Sequence, residues 1–173
     1  MVDERVAINL SNARGKNVLH VGCADWPYTE KRISERGLLH DILNSRSRSL
    51  VGVDVSNEGL EIIKKHNKDM ELYHVNEKHL YIENSYDVIV ATEVIEHVDN
   101  LEDFILFLAE LANDDAEVII TTPNAYSLKG ALRGVFGREY QHPDHTQLFS
   151  TKTLGALLKK RGLEIVQIDY YLS

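Results

Sequence analysis

A single cysteine, Cys23, is present among the 173 residues. One thiol can neither close an intramolecular disulfide nor build a cysteine-based zinc site, and it suits a reducing compartment. No stretch approaches the roughly 18 uninterrupted apolar residues that a membrane-spanning helix needs. Residues 1–5 lack the positive segment and apolar run of a signal peptide, which points to a cytoplasmic protein. Basic residues are scarce as well: 19 Lys and Arg against 27 Asp and Glu give a formal net charge of -8. Such a balance is unfavourable for gripping a nucleic-acid backbone. The concentrated basic stretches, Arg46-Ser47-Arg48 and Lys159-Lys160-Arg161, read as a solvated loop and the exposed end of a helix.

What remains is ordinary globular composition, 43% apolar and 27% charged, in a chain long enough for one core. A single domain over residues 1–173 is expected. Short apolar runs without strict alternation occur at 18–21, 50–55, 86–91 and 118–121, as in parallel strands buried on both faces. Between them lie segments with helical spacing at 30–45, interrupted at Gly37, at 58–67 and at 101–112. Ser56 and Asn100 stand where N-caps are needed, each followed by acidic residues. A further helix should start at Ser150 and end at Gly162, and the alternating run 163–168 predicts a final strand. Strand and helix alternate, so the expected fold is α/β: a Rossmann-like, doubly wound, mostly parallel sheet of about six strands with helices on both faces. Residues 125–149 have no sustained period but three glycines, Pro143 and the histidines His142 and His145, and read as an acceptor-site loop or lid.

Two of these strands end informatively. Val18-Leu19-His20-Val21 runs into Gly22-Cys23-Ala24-Asp25, and Val51-Gly52-Val53 runs into Asp54-Val55-Ser56. Adjacent parallel strands would deliver a tight turn and a carboxylate to one sheet edge, the place where open α/β sheets bind ligands. Asp54 could accept hydrogen bonds from two ribose hydroxyls. Taken singly, Gly22 could serve only the turn and Asp54 only the next helix cap; their joint placement carries the functional reading. The dinucleotide fingerprint G-x-G-x-x-G is absent, since Ala24 replaces its second glycine, and the Ala24 methyl would crowd a pyrophosphate. A nucleoside cofactor without phosphates fits better.

These segments resemble the class I S-adenosylmethionine-dependent methyltransferases, especially the branch that includes ubiquinone-type O-methyltransferases, along nearly the whole chain. The run 18–24 is similar to that family's first motif, whose turn contacts the methionine part of the cofactor, and 51–56 to the second, whose acid binds the ribose. Asn76-Glu77 stands where the family contacts the adenine amino group; Glu93-Val94-Ile95-Glu96-His97-Val98 resembles the branch signature after strand four, and Thr121-Thr122-Pro123-Asn124 the end of strand five. The resemblance implies S-adenosylmethionine as cofactor, held by Gly22, Cys23, Ala24, Asp54, Val55, Asn76, Glu77 and Glu93. Departures are His20 in place of the family's acid, for whose charge Asp25 is a substitute, and Ala24 and Trp26 in place of glycines. Trp26 and Tyr28 read equally as packing residues or as walls of the cofactor pocket. The family often ends in an antiparallel hairpin, of which only the first strand is expected here; that describes either a minimal six-stranded sheet or a shortened chain.

His145 is the first candidate for a general base and His97 the second, because imidazole titrates near neutral pH. Positioning alone can also supply much of a methyl-transfer rate. Glu93, Glu96 and His97 would share a face on a helical turn. With His142 or His145 they resemble the divalent-metal site of small-RNA 3′-end methyltransferases, although no metal is expected in the main reading. That reading is an S-adenosylmethionine-dependent methyltransferase acting on an oxygen, less readily a nitrogen, of a small-molecule acceptor such as a sugar or natural-product intermediate. The alternatives are a metal-assisted RNA ribose methyltransferase and a non-catalytic cofactor-binding partner subunit.

Overall fold

The computed structural model describes residues 11–80, 85–125 and 147–170. Its described part falls into two compact units. One comprises the described residues up to Ala91 together with Leu111–Ile119; the other comprises Thr92–Glu110 and the described residues from Ile120 onward.

The strands are β1 (Asn17–Val21), β2 (Ser49–Asp54), β3 (Glu71–His74), β4 (Tyr86–Thr92) and β5 (Ala112–Thr121), in the sheet order β3-β2-β1-β4-β5. The chain starts in the middle of the sheet, moves outward to β3, then returns to β4 on the other side of β1, which makes β1/β4 the switch point of a doubly wound sheet. β1 pairs in parallel with β2, Val21 opposite Val53, and with β4, Val21 opposite Ala91. β2 pairs in parallel with β3, Asp54 opposite His74. Leu19, Val21, Val51, Val53, Ile89 and Ala91 are buried on one face and Val18, His20, Leu50, Val88 and Val90 on the other. Burial of both faces is why these runs do not alternate.

In the first unit the helices are α1 (Thr29–Ser34), α2 (Leu39–Asn44) and α3 (Asn57–His66). The expected break at Gly37 separates α1 from α2. Ala13 and Leu43 pack with Val18, Leu50, Val88 and Val90, while Leu38, Leu60, Ile63 and Met70 pack with Cys23 and Ala24. The base of the sheet is tied by Asp87, whose carboxylate accepts from the Asn17 backbone N–H at 2.9 Å and from the Asn113 amide at 3.0 Å.

In the second unit α4 (Leu101–Leu111) supplies its residues up to Glu110, and α5 (Thr151–Lys160) starts from Ser150. Ser150 and Thr153 form a reciprocal capping box, and Gly162 takes a φ of +85° after the last turn. The run 163–168 is not a strand. Its Ile165 side chain lies where a Cβ on Gly155 would be, 2.8 Å away, and the Tyr170 hydroxyl meets Thr151 Oγ1 at 2.6 Å, so the segment is laid along α5. An alternating pattern says which side chains are apolar and cannot say whether a neighbouring strand is there to pair. The described sheet therefore has five strands, and β3, at its edge, is one the apolar runs did not reveal.

Candidate functional site

The turn after β1 is shaped by Gly22, whose φ of +74° is in the left-handed region that a Cβ disfavours. The N–H groups of Gly22 and Cys23 both point back to the Val53 carbonyl, at 2.9 and 3.3 Å. The next N–H, that of Ala24, donates to Asp54 Oδ2 at 2.8 Å, and the Ser56 N–H donates to Asp54 Oδ1 at 2.9 Å. One carboxylate thus joins the turn after β1 to the start of α3. Asp54 is 9% exposed, and each oxygen keeps a lone pair after accepting one N–H. Beside it, Val55 is 74% exposed, an apolar side chain left open at the end of β2. Burial, reinforced by the Asp54 charge, pushes the Cys23 thiol well above its ordinary value; it is a packing group, not a nucleophile.

Ala24 is fully buried, and its methyl lies 2.6 Å from where a Cβ on Gly59 would be. The methyl is therefore accommodated inside the protein by a glycine in the first turn of α3. This corrects the expectation that it would crowd a ligand: a glycine missing from the turn is matched by one on the helix behind it. Thr29 completes the bracket, its Oγ1 donating to the Ala24 carbonyl at 2.7 Å. Asp25, with a φ of +51°, pairs with Arg32 Nε at 2.7 Å, so its charge is already answered on the surface. Trp26 and Tyr28 are about half exposed. His20 turns inward and meets His40, Nδ1 to Nδ1, at 3.2 Å.

The third segment is linked to the second by a residue the sequence did not single out. His74 Nδ1 accepts from the Asn76 N–H at 3.2 Å, which assigns the proton to Nε2, 3.0 Å from the Val55 carbonyl. The Glu77 carboxylate accepts from the His74 N–H at 2.8 Å. Asn76 and Glu77 are themselves exposed. The only hint was a histidine two residues ahead of the motif.

In the second unit, Glu93 has a φ of +55° and its N–H points to Thr121, at 3.0 Å from the carbonyl and 3.2 Å from Oγ1. Thr121 Oγ1 donates in return to Glu93 Oε1 at 2.8 Å. The short 3-10 turn Ile95–His97 starts only afterwards, so Glu93, Glu96 and His97 do not share one helical face. Glu96 is buried and His97 exposed. Burial, helped by the Glu93 charge and partly offset by a backbone hydrogen bond to the carboxylate, holds the Glu96 carboxyl above the usual carboxylate range. Among the described residues no group of three or more His, Cys, Asp or Glu could hold a metal ion. His142 and His145 lie outside the described residues. So does most of the expected lid, although its two flanks meet: the Ala125 N–H donates to the Phe149 carbonyl at 2.9 Å.

Residues 2–168 match the family model described as a methyltransferase domain. The chain belongs to the class I S-adenosylmethionine-dependent methyltransferases. Among curated relatives, the mitochondrial ubiquinone biosynthesis O-methyltransferase of Rattus norvegicus is 28% identical over 166 residues, covering 87% of this chain and 45% of that one. The ubiquinone biosynthesis O-methyltransferase of Azoarcus sp. is 26% identical over 169 residues, covering 90% and 67%. The chain thus spans less than half the length of the mammalian relatives it matches. A solved methyltransferase from Aquifex aeolicus superposes with a TM-score of 0.65 at 17% identity, covering 97% of this chain and 82% of that one. Another, from Archaeoglobus fulgidus, superposes with a TM-score of 0.61 at 18% identity, covering 92% and 66%. The family's methyl donor is S-adenosylmethionine.

The residues of this chain suit that cofactor. Asp54 has acceptor capacity left for hydroxyl groups, the exposed Val55 offers an apolar surface to a flat ring, and Ala24 is withdrawn into the Gly59 gap. Among the described residues, no helix is long and apolar enough to cross a membrane.

Proposed function

We propose that this methyltransferase transfers the methyl group of S-adenosylmethionine to an oxygen of a small-molecule acceptor. The observation that carries the cofactor half of this reading is the closure of the Gly22-Cys23-Ala24 turn on Asp54. Preorganised at the end of β2, Asp54 would bind the ribose hydroxyls. Gly22, Cys23 and Ala24 would hold the methionine part, Val55 would lie against the adenine ring, and Asn76 and Glu77 would meet its edge. Glu93 is a further candidate contact in the second unit. The preference for oxygen follows the relatives, which are O-methyltransferases by name.

When bound, the cofactor supplies an electrophilic sulfonium methyl group. The protein's part is then to align the acceptor oxygen in line with it, to remove the hydroxyl proton and to keep water out. His145 is the first candidate for the proton and His97 the second, and residues 125–149 would cover the acceptor.

The test is calorimetric titration with S-adenosylhomocysteine on wild type and Asp54→Ala, followed by labelled methyl transfer to a panel of phenols, sugars and amines. Binding that Asp54→Ala abolishes, with label recovered on a hydroxyl oxygen, is the expected result. Label transferred only to RNA, or binding without turnover on any acceptor, would overturn the reading in favour of a different substrate class or a partner subunit.

A further inference from the structure

Directly behind the proposed cofactor turn lies a buried pair that the reading above does not use. His20, on β1, is 2% exposed and His40, on α2, is wholly buried. Their Nδ1 atoms are 3.2 Å apart and their rings stack at a centroid separation of 5.4 Å. One Nδ1 must donate and the other accept, so the two imidazoles hold opposite roles. His40 Nε2 has no hydrogen-bond partner among the described residues.

The pair touches the turn through a missing side chain. Gly52 stands opposite His20 in the sheet. A Cβ on Gly52 would lie 2.6 Å from His40 Cε1 and 2.9 Å from Cys23 Sγ. The imidazole of His40 and the thiol of Cys23 therefore share one gap above β2, and Cys23 is the middle residue of the turn. We propose that the His20–His40 hydrogen bond is a positioning device for the cofactor turn, holding Cys23 in place only while both imidazoles are neutral. This rests on the assignment of the turn to the cofactor.

Among the described residues, the neighbouring elements offer no free counter-charge. On the neighbouring elements, Asp41 of α2 faces His66 of α3 at 3.3 Å, and Asp25 of the turn faces Arg32 of α1 at 2.7 Å. Glu71 of β3 accepts from the Tyr73 hydroxyl, and the carboxylate of Asp54 is engaged by Ala24 and Ser56. Cys23 stays a neutral thiol. Burial accordingly lowers His40 to about 4, and burial followed by the charge of His40 lowers His20 well below the ordinary value. The first proton would enter at the donor ring's Nε2 and leave an imidazolium charge without a counter-ion in an apolar gap, so the ring gains by moving to water.

Cys23 is the only thiol, so it reports the turn directly without any ligand. The experiment is labelling of the full chain with 4,4′-dithiodipyridine between pH 7 and pH 5, each rate divided by that of a short cysteine peptide at the same pH. Freeing one imidazole to its ordinary value should raise the normalised rate about twentyfold over that range, with helical circular dichroism unchanged. Affinity for S-adenosylhomocysteine should fall over the same range, by a smaller factor than the labelling rate rises. In the double variant His20→Asn/His40→Gln both profiles should be flat. A flat wild-type rate, a rise that merely follows loss of helical signal, or acceleration kept in the variant would overturn the proposal. If the variant does not fold, ring-labelled histidine NMR on wild type decides: two of the eight histidines should stay neutral in the folded state down to pH 5, and the proposal falls if all eight take up protons between pH 7 and pH 5. Absence of S-adenosylhomocysteine binding at every pH would count against the cofactor assignment instead, while the thiol rates still judge the pair.

Discussion

The methyl group of Ala24 fills the space that a Cβ on Gly59 would need, at 2.6 Å. The two positions are complementary, one small because the other is larger.

Gly59→Ala should therefore destabilise, although alanine is normally the better helix residue by about 1 kcal/mol. Overpacking at this contact should cost about 1–3 kcal/mol and weaken S-adenosylhomocysteine binding through the displaced turn. Adding Ala24→Gly should return most of the loss. Urea unfolding of both single variants and the double variant measures the coupling; additive losses would show that the two side chains do not compete.

Asp54→Ala removes the acceptor of two buried backbone N–H groups, those of Ala24 and Ser56. A loss of about 2–4 kcal/mol in stability is expected, because both bonds are charge-assisted. S-adenosylhomocysteine affinity should fall at least about tenfold, the equivalent of a lost hydrogen bond of about 1.4 kcal/mol. Affinity within threefold of wild type would remove Asp54 from the ribose assignment.

Acid should weaken the fold before carboxylates become involved. His40 is held at about 4 in the folded state against an ordinary value of 6.5, so the unfolded chain binds more protons between these values. Stability therefore rises with pH across that window and is lost as pH falls from about 6.5 towards 4, by up to about 3 kcal/mol from this group. Urea midpoints at half-unit pH steps test this, and a midpoint unchanged between pH 7 and pH 5 would contradict it.

Glu96 works in the opposite sense. Its carboxyl is held above the ordinary range by burial, helped by the Glu93 charge, so its contribution to stability is largest in acid and is lost as pH rises through the folded value. Glu96→Gln should raise the melting temperature at pH 7.5 by about 2–4 °C, as about 1 kcal/mol does in a domain of this size, and leave it almost unchanged near pH 4. Thermal scans at the two pH values decide the matter; a variant destabilised at both would show that the carboxylate itself is needed.

The sequence disclosed what both burial and local chemistry mark. The central strands announce themselves because Val18, Val51, Val53 and Ile89 are buried in a two-sided sheet, and Ser56 and Ser150 because capping is a short-range bond. β3 escaped notice because Glu71 faces water at the sheet edge and only four residues pair. β5 extends back to Ala112 through Asn113, Asp114 and Asp115, which no hydrophobic pattern would include. In the proposed site, Asp54 was legible from its place after an apolar run. The matching of Ala24 with Gly59 and of His20 with His40 was not, because each joins positions that meet only once α2 and α3 have been laid against the sheet.

The bond from Ala125 to Phe149 bears on how such an enzyme could change. The chain leaves and returns at one point, so lengthening or replacing the residues between costs little closure entropy, which grows only with the logarithm of loop length. Natural variation can then exchange the residues between Ala125 and Phe149 as a cassette without touching the bond that closes it.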